Sequence, residues 1–180
     1  MSTNENYYDP NANGIEGWMN SLELLILNNL ARKVTSVVEI GSWKGRSTHA
    51  LCSGCKGIVY AVDHFQGSAG EITTTHREAV EGGVYDEFMK NVGHFPNLKV
   101  MKMSSREASK LIPKVDMVFI DGGHDYDSFR MDLLCWAPKA KYVLCGHDGL
   151  YPGVMKALED IGIYYYGIDR TAIWIQKRWI

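Results

Sequence analysis

The sequence lacks several features that would place it in a specialised class of protein. No basic block is present, since 19 Lys and Arg stand against 21 Asp and Glu and the net charge is -2. Nucleic-acid binding needs clustered cations along the phosphate backbone, so we expect no nucleic-acid partner. The first residues hold no cationic segment followed by an apolar one. We therefore expect neither a signal peptide nor a membrane span, and a cytoplasmic location.

Cysteine is scarce, with 4 in the chain. Cys52 and Cys55 form the stretch CSGC, a spacing that occurs both in half of a zinc site and in redox pairs. A second pair of Cys or His at ligand spacing is missing, so reduced thiols packed in the protein are the preferred interpretation.

What the sequence does contain is ordinary globular composition, with 46% hydrophobic and 22% charged residues over 180 residues. This length is enough to bury one core, so we expect a single domain over residues 1–180, with 1–14 as a flexible N-terminal segment. The stretch 64–83 is rich in Gly and Thr and irregular, which predicts either a lid over a binding site or plain disorder.

Short β-branched runs alternate with segments of helical spacing. This alternation predicts an α/β fold, with a doubly wound and mostly parallel sheet covered by helices on both faces. The last two runs, IYYYGID and TAIWIQK, are too close in sequence for a helix between them, so they must form an antiparallel hairpin. The five earlier runs are VTSVVEI, GIVYAVD, LKVMKM, VDMVFID and KYVLCG.

The loop in VEIGSWKGRSTHAL follows the first predicted strand, where an open α/β sheet binds its ligand. A P-loop would need Lys and then Ser or Thr after the last glycine, but Arg46 follows Gly45. A dinucleotide fingerprint would need a second glycine where Trp43 stands. A nucleoside ligand without pyrophosphate remains, with Glu39 able to accept from an ammonium group and Asp63 from ribose hydroxyls.

Four stretches, VEIGSWKGRST, AVDHF, FIDGGHDYDSFRMDL and LCGHDG, resemble the class I S-adenosylmethionine-dependent methyltransferases. Within that class, the chain is similar to the small-molecule O-methyltransferases grouped with the macrocin-type sugar methyltransferases. The resemblance covers roughly residues 15–177 and implies a seven-stranded Rossmann-like sheet with S-adenosylmethionine as the cofactor. The residues that it implies for cofactor binding are Glu39, Gly41, Ser42, Gly45, Ser47, Asp63, His64, Met103, Ser104 and Asp121.

Acidic and histidine side chains follow the fourth and fifth predicted strands. Asp121 and Asp148 should meet at one edge of the sheet, where two carboxylates suit a divalent metal such as Mg or Mn. His147 either completes this metal site as a ligand or replaces the metal altogether. His124 is the candidate general base for a substrate hydroxyl, and the alternative is that it caps the helix starting near Asp125.

We therefore expect a methyltransferase acting on a hydroxyl of a small, sugar-like or polyol-like molecule, with Asp121 and His124 catalytic. The alternatives are a cofactor-binding module that has lost catalysis, and a metal-independent enzyme with His124 as base. An NAD-dependent oxidoreductase would share the sheet but lacks both the glycine spacing and a Tyr-x-x-x-Lys pair near a strand end. The sequence leaves open a homo-oligomer and gives no motif for the acceptor.

Overall fold

The central sheet has seven strands in the order β3-β2-β1-β4-β5-β7-β6. The computed structural model describes residues 10–67, 79 and 81–176. The strands are β1 (Ser36–Ile40), β2 (Ile58–Asp63), β3 (Leu98–Lys102), β4 (Val115–Ile120), β5 (Ala140–Gly146), β6 (Tyr165–Gly167) and β7 (Trp174–Gln176). The helices are α1 (Ser21–Ala31), α2 (Arg46–Gly54), α3 (Val84–Val92), α4 (Ser105–Leu111), α5 (Tyr126–Trp136) and α6 (Pro152–Asp160). Short 3₁₀ helices span Pro10–Gly14 and Ala137–Lys139.

Neighbouring strands from β3 to β5 run parallel, while β7 pairs antiparallel with both β5 and β6. The predicted doubly wound sheet and its closing hairpin are therefore confirmed. β7 lies between β5 and the edge strand β6, so the strand that reverses direction is the second one of the hairpin.

Both faces of the central strands β1, β2 and β4 are largely buried, which explains why these strands are apolar at most positions. Val37 packs with α1 and α2 on one face, whereas the next residue, Val38, packs with α4, α5 and α6 on the other. In a strand covered on only one face, apolar and polar residues would alternate along the sequence. α3 covers the β2 and β3 end of the first face through Phe88 and Val92.

Capping residues fix where several helices begin. Ahead of α1, the Asn20 side chain accepts from the backbone N–H of Glu23, and the Glu23 side chain accepts from the Asn20 N–H in return. Ser104 and Glu107 form the same kind of capping box ahead of α4. Asp125 caps α5 by accepting from Ser128 N.

The structure describes the predicted N-terminal segment 1–14 only from residue 10, where a 3₁₀ helix begins, and residues 1–9 lie outside the described part. Most of the stretch 64–83 also lies outside the described residues. No helix in the described ranges combines the length and apolar character needed to cross a bilayer.

Candidate active site

A cleft of about 640 Å³ opens at the carboxyl ends of the parallel strands. It lies where the strand order reverses, between β1 and β4, which is the usual position of a ligand in open α/β sheets. The loops after β1 to β5 contribute to its wall, together with residues 16–19 ahead of α1. Of the predicted site residues, those that line it are Gly41, Ser42, Ser47, Asp63, His64, Met103, Asp121, His124, His147 and Asp148.

The glycine at the end of β1 brings two loops of the cleft into contact. Gly41 has φ +83°, and its N–H donates to the Val62 carbonyl at 3.0 Å. A Cβ atom on Gly41 would lie 2.0 Å from the Asp121 carbonyl oxygen, so no other residue fits without moving the loop after β4. Gly45, with φ +92°, caps α2 from a position that does not line the cleft.

Asp63, at the end of β2, holds the loop after β1 in place. Its Oδ2 accepts from the N–H groups of Ser42 and Trp43, each at 2.9 Å. Its Oδ1 accepts from Phe65 N at 2.7 Å, which leaves that oxygen one lone pair for a ligand hydroxyl. The carboxylate that we expect to bind the ribose therefore also organises the loop after β1.

Glu39 does not line the cleft, because its side chain turns beneath α2. It is 0% exposed and accepts from the Thr48 hydroxyl, while its Oε1 has no hydrogen-bond partner among the described residues. Burial raises the pKa of Glu39 to about 7. Ser104 likewise lies outside the lining, where its hydroxyl caps α4.

Three predicted residues converge at the ends of β4 and β5. Single ligand atoms of Asp121, His124 and Asp148 all lie within 4.8 Å of one another. His124 Nε2 lies 2.8 Å from Asp148 Oδ2 and 3.9 Å from Asp121 Oδ1. Asp148 has φ +54°, an unfavourable backbone conformation for a residue with a side chain, and it turns the carboxylate toward both histidines.

His147 lies between acidic groups on two sides. Its Nδ1 is 3.1 Å from Asp148 Oδ2, and its Nε2 is 3.2 Å from Oε1 of Glu23 on α1. Burial of the ring disfavours its charge, but the hydrogen bond with Asp148 and the charges of Asp121, Asp148 and Glu23 outweigh burial and raise the pKa of His147 to about 9. The ring is therefore charged at neutral pH and pairs with carboxylates.

Asp148 is ionised for the complementary reason. Burial disfavours its charge, but hydrogen bonds from His124 and His147 outweigh burial and hold the pKa of Asp148 well below its usual range. The cluster at the ends of β4 and β5 thus combines an imidazolium with fixed carboxylates.

Sequence reasoning missed several residues of the cleft. Asp132 lines it from α5, Ser105 from the start of α4, and Trp18 and Tyr151 from its rim. A signal for Asp132 was present, since an acidic residue stands on the apolar face formed by Phe129, Leu133 and Trp136. Trp18 and Tyr151 had none, because nothing in a single sequence separates an exposed aromatic side chain from one at a cleft.

Residues 16–19 are tied to the rest of the cleft by two cations. Lys44 Nζ lies 2.8 Å from Glu16 and 3.1 Å from Glu87 of α3. Arg46, at the start of α2, donates through Nε to the Met19 carbonyl at 2.7 Å and through Nη1 to carbonyls of residues 12, 13 and 15.

A cleft at the switch point is where open α/β sheets bind their ligands, and here an acidic residue ends β2 and a polar cluster lies at the ends of β4 and β5. A family model described as a methyltransferase domain matches residues 38–148. This match covers more than half of the chain, so the chain belongs to that family of methyltransferases. The resemblance found in the sequence is confirmed.

Solved structures with the same fold include an O-methyltransferase from Bacillus cereus in complex with S-adenosylhomocysteine. It is 13% identical, the match covers 93% of this chain and 86% of that one, and the TM-score is 0.64. A methyltransferase of Podospora anserina bound to S-adenosylhomocysteine is 17% identical over 91% of this chain and 80% of its own, with a TM-score of 0.60. A search of curated protein sequences found no match.

Proposed function

We propose that the protein transfers a methyl group from S-adenosylmethionine to a hydroxyl of a small molecule. The observation that carries this proposal is that one cleft joins the Gly41 loop and Asp63 to the cluster of Asp121, His124 and Asp148. Two solved structures of the same fold hold S-adenosylhomocysteine, and a fibrillarin from Aeropyrum pernix holds S-adenosylmethionine. The fibrillarin is 13% identical, with 83% of this chain and 72% of that chain covered and a TM-score of 0.53.

The residues of the cleft suit this cofactor. Ser42 Oγ is buried without a hydrogen-bond partner among the described residues, and it lies in the loop proposed to hold the methionine part. Ser42 and Ser47 line the cleft beside Gly41, and Asp63 Oδ1 retains an acceptor site for a ribose hydroxyl. Met103 would border the adenine from the end of β3. Glu39, Gly45 and Ser104 would act indirectly, by shaping the loops from outside the cleft.

Charge in the cleft favours a neutral or cationic acceptor. The lining residues include five carboxylates, and Arg46 is the only Lys or Arg among them. Arg46 already donates through Nε and Nη1 to backbone carbonyls. Among the described lining residues, the charged His147 ring is already paired with Asp148 and Glu23. A phosphate or carboxylate on the acceptor would therefore find no uncommitted cation there, whereas the sulfonium of the cofactor would be stabilised. The carboxylates are those of Glu16, Asp63, Asp121, Asp132 and Asp148.

Two exposed aromatic side chains provide flat apolar surfaces at the rim. Trp18 is 69% exposed and tilts against Trp43 at 5.8 Å between ring centroids, while Tyr151 lies 5.5 Å from the His124 ring. Flat apolar faces beside a polar cluster suit a ring-shaped acceptor that carries hydroxyl groups. A neutral sugar-like or polyol-like molecule fits both the charge and the shape.

The hydroxyl proton would pass to His124. With Asp148 Oδ2 at 2.8 Å, the neutral ring keeps its proton on Nε2, so Nδ1 is the basic nitrogen. In the transfer, the acceptor oxygen bonds to the methyl carbon as the carbon–sulfur bond breaks, which yields a methyl ether and S-adenosylhomocysteine. His124 takes the proton, and the Asp148 carboxylate stabilises the imidazolium that forms.

A divalent cation is the second way to activate the hydroxyl. Two carboxylates and an imidazole within 4.8 Å are a donor set that fits such an ion. If bound, the ion would lower the pKa of the hydroxyl. Asp121, His124 and Asp148 would hold it, with His147 as a charged neighbour. The ligand set Asp121, His147 and Asp148 that the sequence suggests would first require His147 to lose its proton.

Calorimetry with S-adenosylhomocysteine, followed by an assay of its release from S-adenosylmethionine, tests the function. We expect specific binding, no binding of NAD, and turnover with neutral hydroxyl acceptors. Binding of NAD without S-adenosylhomocysteine would overturn the proposal. Binding of S-adenosylhomocysteine with no turnover over a broad panel of hydroxyl compounds would favour a binding module without catalysis.

A further inference from the structure

A buried carboxyl group that is not part of the cluster of Asp121, His124 and Asp148 also lines the cleft. Asp132 is 8% exposed and stands on the face of α5 that otherwise buries Phe129, Leu133 and Trp136. A carboxylate in such surroundings is costly unless its oxygens are hydrogen-bonded. Its contacts therefore indicate its role.

One oxygen of Asp132 is fixed by the protein. The Ser105 hydroxyl donates to Asp132 Oδ1 at 2.5 Å, and the indole Nε1 of Trp136 donates to Ser105 Oγ at 2.8 Å. Trp136 is fully buried, so this relay holds the carboxyl group in one orientation. Ser105 is the first residue of α4, directly after the loop that leaves β3.

The other oxygen is available to a ligand. Asp132 Oδ2 accepts no hydrogen bond from the residues that the structure describes. It lies beneath Gly122, where an added Cβ atom would approach it to 3.0 Å. Asp132, Ser105, Gly122 and Met103 all line the cleft. A hydrogen-bond acceptor, Asp132 Oδ2, is therefore positioned between the loops that follow β3 and β4.

We propose that Asp132 Oδ2 accepts a hydrogen bond from the exocyclic amino group of the cofactor's adenine, and so selects adenine over hypoxanthine. This inference rests on the proposed function. With the ribose at Asp63 and the methionine part at the Gly41 loop, the base is left for the β3 side of the cleft. The exocyclic amino group is the N–H donor that the base offers there. Burial raises the pKa of Asp132 to about 6, so the carboxyl is mostly ionised at neutral pH.

Calorimetry with two ligands tests this proposal on the intact protein. S-inosylhomocysteine carries a carbonyl oxygen where S-adenosylhomocysteine carries the amino group. The wild-type protein should bind it roughly tenfold to a hundredfold more weakly, because a charged hydrogen bond is replaced by two facing acceptors. Asp132→Asn turns the acceptor into an amide N–H donor while Oδ1 still accepts from Ser105. The preference of this variant for S-adenosylhomocysteine over S-inosylhomocysteine should fall to about threefold or less, or reverse, because S-inosylhomocysteine gains the hydrogen bond that S-adenosylhomocysteine loses.

A matched control is Asp160→Asn, which makes the same chemical change at the surface pair of Asp160 with Tyr126 and Lys156. It should leave the ratio of the two affinities unchanged. Equal binding of both ligands by the wild-type protein would overturn the inference without any variant, as would an unaltered ratio in Asp132→Asn. Failure of S-adenosylhomocysteine to bind at all would instead overturn the proposed function, and this inference with it.

Discussion

Replacing Asp63 with alanine should damage the fold and the cofactor site together. The side chain accepts backbone N–H groups of Ser42 and Trp43 at 2.9 Å and of Phe65 at 2.7 Å. At about 1 kcal/mol net for each bond, their loss should lower the free energy of unfolding by about 3 kcal/mol. For a chain of this size, that corresponds to a fall in Tm of roughly 6 to 12 °C.

The conservative variant separates the two roles of Asp63. In Asp63→Asn, the amide oxygen can still accept from Ser42 and Trp43, so only the contact with Phe65 is lost. Its Tm should fall by roughly 2 to 4 °C. Its affinity for S-adenosylhomocysteine should nevertheless drop about tenfold, because a neutral amide replaces a charged acceptor of the ribose hydroxyl.

Thermal denaturation followed by circular dichroism, with calorimetric binding, measures both effects. Asp169→Ala removes an exposed carboxylate and should change stability by no more than about 0.5 kcal/mol. If Asp63→Ala melted within about 2 °C of the wild-type protein, the assignment of loop-holding bonds to this side chain would be refuted.

Four further predictions concern other parts of the site. Burial raises the pKa of Glu39 from 4.5 to about 7, so the native state keeps a proton that the unfolded chain has lost in this window, and stability falls as the pH rises through it. Urea denaturation should show that the free energy of unfolding of the wild-type protein falls by roughly 3 kcal/mol more than that of Glu39→Gln between pH 4.5 and 8. Parallel stability profiles of the two proteins over this range would contradict the prediction. Gly41→Ala should cost at least about 2 kcal/mol by thermal denaturation, because φ is +83° and the Asp121 carbonyl blocks a Cβ atom. His124→Ala should lower turnover about a hundredfold while the calorimetric affinity for S-adenosylhomocysteine stays within about threefold, and unchanged turnover would rule it out as the base. If a cation takes part, chelator should abolish turnover and Mn²⁺ should restore it at a lower concentration than Mg²⁺, whereas in Asp148→Ala neither metal should restore it. Full turnover in chelator would exclude a required cation and leave His124 alone to take the hydroxyl proton.

The fold was predictable because its strands and helices carry strong local signals. The apolar runs gave all seven strands within a few residues of their observed bounds, and the short link between the last two required a hairpin. The capping box of Ser104 and Glu107 marked the start of α4 directly. Strand order and parallel pairing then bring Asp121 and Asp148 to one edge of the sheet, whatever the side chains do.

Side-chain direction and long-range contacts were beyond the sequence. Glu39 lies on the same face of β1 as Val37, so it points under α2, and only the packed helix shows that Thr48 meets it there. His147 is charged partly because Glu23 approaches it from α1, far away in the sequence. The left-handed backbone of Asp148 redirects its carboxylate in a way that no residue pattern specifies.

Arg46 mechanically couples residues 12–19 to the loop between β1 and α2. The side chain that opens α2 binds carbonyl groups of Met19 and of residues 12, 13 and 15, while the backbone just before it forms the turn from Gly41 to Gly45. A shortened protein starting at residue 20 would leave this guanidinium facing solvent and the turn without its brace. A chimera that takes residues 12–19 from another enzyme would therefore also need an arginine at position 46 that fits them.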